Sequence, residues 1–305
     1  MEIIKPLLQC LAALLLSPLL AGVINRVKAF FSGRRGQPLL QLYLELYKLS
    51  RKTPVYSRTT TWVFKAGPVI GLSALLAALA VLPFAGRPSF LTFEGDFIFL
   101  LYLLGLARFV TVLAALDTGS AFEGMGASRE MQFAVFAEPA FFLGLAALAR
   151  VTGQGSLAGM FGALTGESWR TAAPVLALLT ASFFIVLLAE NSRVPADDPN
   201  THLELTMIHE AMALDHSGPE LAYILYGAAL KLWLFASLIA CMVLPRHSGS
   251  WVLDSALFGL ALLGMAAAVG VVESIMARLR LTKVPYLLIT AFAFSSLALI
   301  FQLGR

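Results

Sequence analysis

The reading of this chain turns on Ala189-Glu190-Asn191-Ser192-Arg193-Val194-Pro195-Ala196-Asp197-Asp198-Pro199-Asn200-Thr201-His202-Leu203-Glu204-Leu205-Thr206-Met207-Ile208-His209-Glu210-Ala211-Met212-Ala213-Leu214-Asp215-His216-Ser217-Gly218-Pro219. The stretch holds three of the four histidines and six carboxylates. Apolar runs flank it at about 172–190 and 220–245. Each is long enough to cross the roughly 30 Å hydrocarbon core of a bilayer, which takes about 18 residues or more. A long acidic insert between two such runs reads as the working surface of a membrane protein.

The composition agrees. Of 305 residues, 13% are charged and 59% hydrophobic, where a soluble domain carries about 25% charged residues. The fold class expected is all-α, a polytopic membrane protein of about eight transmembrane helices in a single domain spanning 1–305. The spans fall near 3–25, 66–85, 97–116, 133–150, 172–190, 220–245, 251–273 and 284–303. A β-barrel would show short alternating segments instead. Cys10 and Cys241 lie inside apolar runs, so the chain has too few thiolates for an iron–sulfur cluster of its own, which takes about four. The net charge of +4 comes mainly from one loop and speaks to topology, not to nucleic acid.

That loop, 26–65, carries Arg26, Lys28, Arg34, Arg35, Lys48, Arg51, Lys52, Arg58 and Lys65 against Glu45. The positive-inside rule makes it cytoplasmic. Alternation places 117–132, 191–219 and 274–283 on the same side, and Arg278, Arg280 and Lys283 agree. Both termini are then expected outside. Within the first loop, Leu39, Leu42, Leu46 and Leu49 recur at helical spacing, which predicts an amphipathic helix at the interface.

Arg108, Glu138 and Lys231 lie inside spans, and Glu190 and Glu273 close two others. A charge at mid-bilayer costs at least about 2.5 kcal/mol, so such residues face partners or a wet cavity. A connected polar path is the expectation. In the central stretch, Pro195 stops one helix, and Asp198-Pro199 or Thr201-His202-Leu203-Glu204 starts a short one. That helix is expected to run to about His216 and to end at Ser217-Gly218-Pro219. His202, His209 and His216 would share one face, but two turns separate neighbours by about 10.5 Å, too far for one metal ion. Position 213 is alanine, so the zinc-protease pattern begun by His209-Glu210 is incomplete. No metal site is expected.

These residues carry a resemblance. Glu190-x-x-Arg193-x-Pro195-x-Asp197, then Glu204-Leu205, then an acid and Ser217-Gly218, is similar to the signature loop of the complex I membrane protein known as NuoH or ND1. Leu116-Asp117-Thr118-Gly119-Ser120-Ala121-Phe122, Gly124, Gly126-Ala127-Ser128-Arg129-Glu130 and Glu138-Pro139 resemble the related membrane subunit of energy-converting, group 4 nickel–iron hydrogenases, among them formate hydrogenlyase and hydrogenase-4. Arg34-Arg35-Gly36, Tyr43, Lys48 and Met276-Ala277-Arg278 fit the same pattern. The chain departs from it at Gln37, where many relatives have glycine-proline-glycine after the paired arginines. It departs again at Asn200 and His202, where the complex I loop is acidic, and by about three residues inserted before Asp215. These changes argue against the quinone-gating form of the loop.

The resemblance implies a non-catalytic membrane subunit of an oxidoreductase complex in a prokaryotic inner membrane. It would dock a soluble redox arm and relay redox-linked proton or sodium movement to antiporter-like subunits. Implied partners are hydrogenase large and small subunits, a ferredoxin-like iron–sulfur subunit and the antiporter-like subunits. No cofactor is expected on this chain; the nickel–iron site and iron–sulfur clusters belong to the partners. The coupling residues implied are Glu138, Glu190, Lys231, Glu273, Asp117, Glu130, Asp197, Glu204 and Glu210. Docking falls to loops 26–65, 117–132 and 191–219, with Arg34, Arg35, Glu123, Arg129, Arg193, Asp198, His209 and Asp215. The alternatives are a quinone-reducing complex I-like subunit, a nickel-free relative of the hydrogenases, and a stand-alone transporter. Against the last, no paired broken helices or internal repeat is detectable.

Overall fold

The computed structural model describes residues 4–84, 87–197, 208–244 and 250–304. Its helices are α1 (Ile4–Phe31), α2 (Gln41–Ser50), α3 (Trp62–Val81), α4 (Asp96–Asp117), α5 (Ala121–Thr152), α6 (Leu157–Ala163), α7 (Gly166–Thr171), α8 (Ala173–Glu190), α9 (Gly218–Val243), α10 (Trp251–Ile275) and α11 (Val284–Leu303). Among the described residues, eight helices are long and apolar enough to cross a membrane. They match the eight runs read from hydropathy. The chain is an all-α polytopic membrane protein.

The bundle closes around α9, the most buried of the eight. Phe235 of α9 and Phe183 of α8 both pack on Phe141 of α5, with ring centroids 5.2 and 5.1 Å apart. A β-carbon at Gly144, one turn beyond Phe141, would collide with the Phe183 ring and crowd Ser295. Glycine there lets α5, α8 and α11 approach closely. Ser182 donates to the Ala291 carbonyl at 2.8 Å and lies 2.8 Å from the Ser295 hydroxyl. Small residues and hydroxyl bonds of this kind hold helices together in lipid, where hydrophobic attraction between helices is absent.

Proline opens α1. Pro18 has no N–H for the Leu14 carbonyl, and the Tyr226 hydroxyl of α9 donates to that carbonyl at 2.8 Å. The Tyr43 hydroxyl of α2 donates to the neighbouring Leu15 carbonyl. α2 is the amphipathic helix expected in the first loop, and these bonds tie it and α9 to α1.

Two stretches differ from the sequence reading. The loop expected at 117–132 is largely helix: α5 begins at Ala121 and runs for 32 residues. At 1.5 Å per residue that is about 48 Å, longer than the hydrocarbon core is thick, so α5 must tilt within it or project beyond it. The helix expected to run to about His216 is absent over its described part. A single 3-10 turn, Glu210–Ala213, stands there. Ser217-Gly218-Pro219 opens α9 instead of ending a helix. His209 and His216 therefore do not share a helical face, and His202 lies outside the described residues.

Gly144→Ala is expected to destabilise the purified chain by about 1–3 kcal/mol, the range for overpacking a filled core. Ser182→Ala should cost about 0.6 kcal/mol, typical of a hydrogen bond between membrane helices. Thermal unfolding followed by size-exclusion in detergent gives the order, and Phe183→Leu should partly rescue Gly144→Ala.

Candidate functional site

Arg108, near the middle of α4, is the hub of a charge network at membrane depth. Its Nε lies 3.1 Å from Oε1 of Glu130, and its two terminal nitrogens hold Glu138 and Glu190. Glu130 and Glu138 are on α5 and Glu190 ends α8. Lys231 of α9 reaches the second oxygen of Glu190 at 2.7 Å. One guanidinium thus binds three carboxylates from two other helices, and Glu190 is shared with a fourth. The guanidinium is a planar fork of five donors that stays protonated, and a lysine could not span this arrangement. The side chains of Arg108 and Glu190 are both 6% exposed.

Three further ion pairs, in two groups, follow at the end of the bundle where α8 stops. Asp197 accepts from Arg278 at 2.6 Å. Glu273, with its side chain fully buried, binds Lys28 at 2.8 Å and Arg193 at 3.5 Å. The tight turn 193–197 links the two groups, since the Arg193 carbonyl accepts from the Ala196 and Asp197 amides at 2.9 and 3.2 Å. A cavity of about 20 Å³ joins Asp197 to Glu130 and Glu190. Another of about 60 Å³ lies against Arg108, Glu130, Lys231, His209 and Tyr223. Cavities above about 10–15 Å³ with polar walls hold water, so these spaces fit a hydrated link between the groups.

The structure brings Glu130, Glu138, Glu190 and Lys231 into one network, with Arg108 at its centre. Glu273 forms its own cluster with Lys28 and Arg193. Asp117 stands apart: it accepts from the Thr61 amide at 2.7 Å, the Thr61 hydroxyl at 2.8 Å and the Phe64 amide at 3.2 Å. It caps the start of α3, where carboxylates are favoured. Glu123 is fully buried and accepts from the Asp215 amide at 3.0 Å, pinning the central loop to α5. Gly126, one turn on, gives that loop room, because a β-carbon there would lie 2.8 Å from the Ile208 carbonyl oxygen. Arg129 reaches the Met125 sulfur at 3.3 Å. Arg34 and Arg35 are exposed on the first loop, Glu210 sits on the 3-10 turn, and Asp198 and Glu204 lie outside the described residues. Lys28 was read from sequence only as a topology signal, and Arg278 only as a topology signal and part of a motif. Their pairing with buried acids appears only in three dimensions.

Beside this network, His216 is stacked on Phe64 at 3.9 Å and its Nδ1 lies 3.5 Å from Glu220. The Tyr56 hydroxyl donates to the other Glu220 oxygen at 2.6 Å. That bond pushes the Tyr56 phenol up to about 12. Burial pushes the His216 imidazole below its ordinary 6.5, with Glu220 pulling the other way. Burial also lowers His209, opposed first by Glu130. Among the described residues, no group of three or more His, Cys, Asp or Glu is placed to hold a metal ion.

Replacing Arg108 with Met should destabilise the chain by about 3–5 kcal/mol, because three carboxylates lose their shared cation. Lys231→Met should cost less, since Glu190 keeps Arg108. Both are read from thermal unfolding in detergent. The pH dependence has a definite sign. With its folded-state pKa depressed, His216 takes up a proton more readily in the unfolded chain, so stability falls as pH drops from about 6.5 toward the folded value. His216→Gln should flatten that decline by at most about 1.4 kcal/mol per pH unit, the limit for one proton.

Comparison with known proteins gives the family and the fold. The family model described as NADH dehydrogenase (NADHdh) matches residues 4–303. The chain is 30% identical over 306 residues to formate hydrogenlyase subunit 4 of Escherichia coli (strain K12), covering 98% of each chain. It is 33% identical over 244 residues to hydrogenase-4 component C of the same organism, covering 80% of this chain and 76% of the relative. Among solved structures, a chain of the membrane-bound sulfane sulfur reductase, an archaeal respiratory membrane complex, superposes with a TM-score of 0.84. It covers 99% of this chain and 100% of its own at 19% identity, a likeness of fold.

Proposed function

The chain belongs to the NADH dehydrogenase (NADHdh) family, and from that premise we propose that it is the membrane anchor and ion-coupling subunit of a hydrogenase-type oxidoreductase. In this reading it docks the soluble redox arm on its cytoplasmic face and relays redox-linked proton or sodium movement to antiporter-like membrane subunits. The redox centres, a nickel–iron site and iron–sulfur clusters, reside in hydrogenase large and small subunits and a ferredoxin-like subunit. The complex sits in a prokaryotic inner membrane, with both termini of this chain outside.

The observation that carries the reading is the Arg108 network, with three carboxylates on one guanidinium and Lys231 on the far side of Glu190. Two unit charges about 4 Å apart interact by about 4 kcal/mol at an effective dielectric of about 20. Moving one cation away from a carboxylate therefore raises its proton affinity by about a thousandfold. A charge arriving near Asp197 or Glu130 would alter how Arg108 divides itself among its three acids. The acid it releases then takes up a proton. Such a device transmits charge along the network without a redox cofactor in this chain.

The hydrogenase-type reading is favoured over quinone reduction by the relatives at 30% and 33% identity.

In the complex purified with a tagged chain, hydrogen evolution from reduced viologen is the expected activity. Glu138→Gln and Glu190→Gln should leave assembly and that activity near wild type. Both should cut ion uptake into proteoliposomes at least about tenfold. Wild-type ion uptake in both variants would overturn the relay. An intact complex containing a large subunit but evolving no hydrogen would point to quinone-linked or nickel-free chemistry.

A further inference from the structure

The network opens to the outside of the bundle at Glu138. Its side chain is 52% exposed, whereas Arg108 is 6% exposed. The opening is a groove of about 590 Å³ between α4 and α5, lined by Tyr102, Gly105, Phe109, Glu138, Pro139 and Phe142 among others. Tyr102 is 75% and Phe109 55% exposed along it. Arg108 lies nine residues from the Asp117 end of α4, about 13 Å at 1.5 Å per residue, so the groove faces the hydrocarbon layer.

Among the described residues, the charges in the network do not cancel. Arg108 and Lys231 supply two positive charges, and Glu130, Glu138 and Glu190 supply three negative ones. His209 lies close to Glu130 and Lys231, but burial favours its neutral form. Lys28 and Arg193 are engaged on Glu273, and Arg278 on Asp197. The surplus negative charge belongs to a network whose one open acid is Glu138. A carboxylate facing acyl chains is costly, and lipid tails carry no donor to relieve it.

We propose that this groove receives a transmembrane helix of a partner membrane subunit, which sets a cationic side chain on Glu138. The occupant is chosen by charge complementarity: it must be apolar along the Tyr102–Phe109 walls and carry one Lys, Arg or His at the depth of Glu138. Gly105 leaves space beside the acid, since a β-carbon there would stand 3.9 Å from Glu138 Oε1. The partner's place in the same complex rests on the proposed function. The groove and its surplus charge do not.

The test is photocrosslinking of the intact complex in native membranes, with p-benzoylphenylalanine replacing Tyr102 and, in a second variant, Phe109. Leu260 on α10, 66% exposed, is the lipid-facing control. The expected result is a crosslink from both groove positions to one transmembrane peptide of another subunit, with a Lys, Arg or His within one turn of the adduct. The control should give lipid adducts. Lipid adducts from the groove positions, or a crosslinked helix lacking such a residue, would overturn the proposal. Neutralising the mapped cation gives an independent check. Ion uptake in the double variant with Glu138→Gln should match Glu138→Gln alone, and an additive loss would count against the contact. Full ion uptake in Glu138→Gln with the crosslink intact would sink the relay while leaving the interface standing.

Discussion

The structure depends on one guanidinium held at membrane depth. Arg108 cannot shed its proton and has almost no access to solvent. The chain must therefore bring acids to it. Glu130 and Glu138 fix α5 against α4, and Glu190 draws in the end of α8. Lys231 then joins α9 through Glu190. Four helices are thus positioned by charge where hydrophobic attraction between helices supplies nothing. Structure and proposed function rest on one cluster, and a change in one acid is felt by all of them.

The surrounding packing keeps this cluster in place with small residues and broken backbone bonds. Phe141 and Phe235 lie beside Arg108 and Glu190, Phe183 backs Phe141, and Gly144 lets the helices close around them. Pro139 follows Glu138 directly and leaves the Val135 carbonyl without its usual helical donor. Prolines at 18 and 68 do the same in α1 and α3. In α1 the freed carbonyl is taken up by Tyr226, which converts a local weakness into a contact between helices.

What could be read from sequence follows from which signals are local. Spans are legible because hydropathy over about 20 residues is a local property, and all eight appear. The amphipathic α2 is legible for the same reason. The early start of α5 is not: Glu123, Gly124, Gly126, Arg129 and Glu130 lower its hydropathy and suggest a loop. Those residues are helical, with the segment held by the Asp215 amide on Glu123 and packed close to Ile208 at Gly126. Arg108, Glu138, Glu190 and Lys231 stand out as charges in apolar runs, yet nothing in the sequence says which acid meets which base. Lys28 and Arg278 are hidden in plain view, since basic residues at helix ends are expected for topology alone. Asp117 fits a family motif, while its three hydrogen bonds give it the work of a helix cap.

The distribution of surplus charge completes the physical argument. Among the described residues, Glu273 is held by two cations, Lys28 and Arg193, while the Arg108 network carries three acids on two cations. Asp197 binds Arg278. The excess positive charge is Lys28, about a quarter exposed, where water can screen it. The excess negative charge lies in the Arg108 cluster, where the Arg108 and Glu190 side chains are almost fully buried. In the relay we propose, a field directed this way draws a mobile cation from the Asp197 end toward Glu138. No conformational switch of large amplitude is then required: a change in how one guanidinium is shared among three carboxylates is enough.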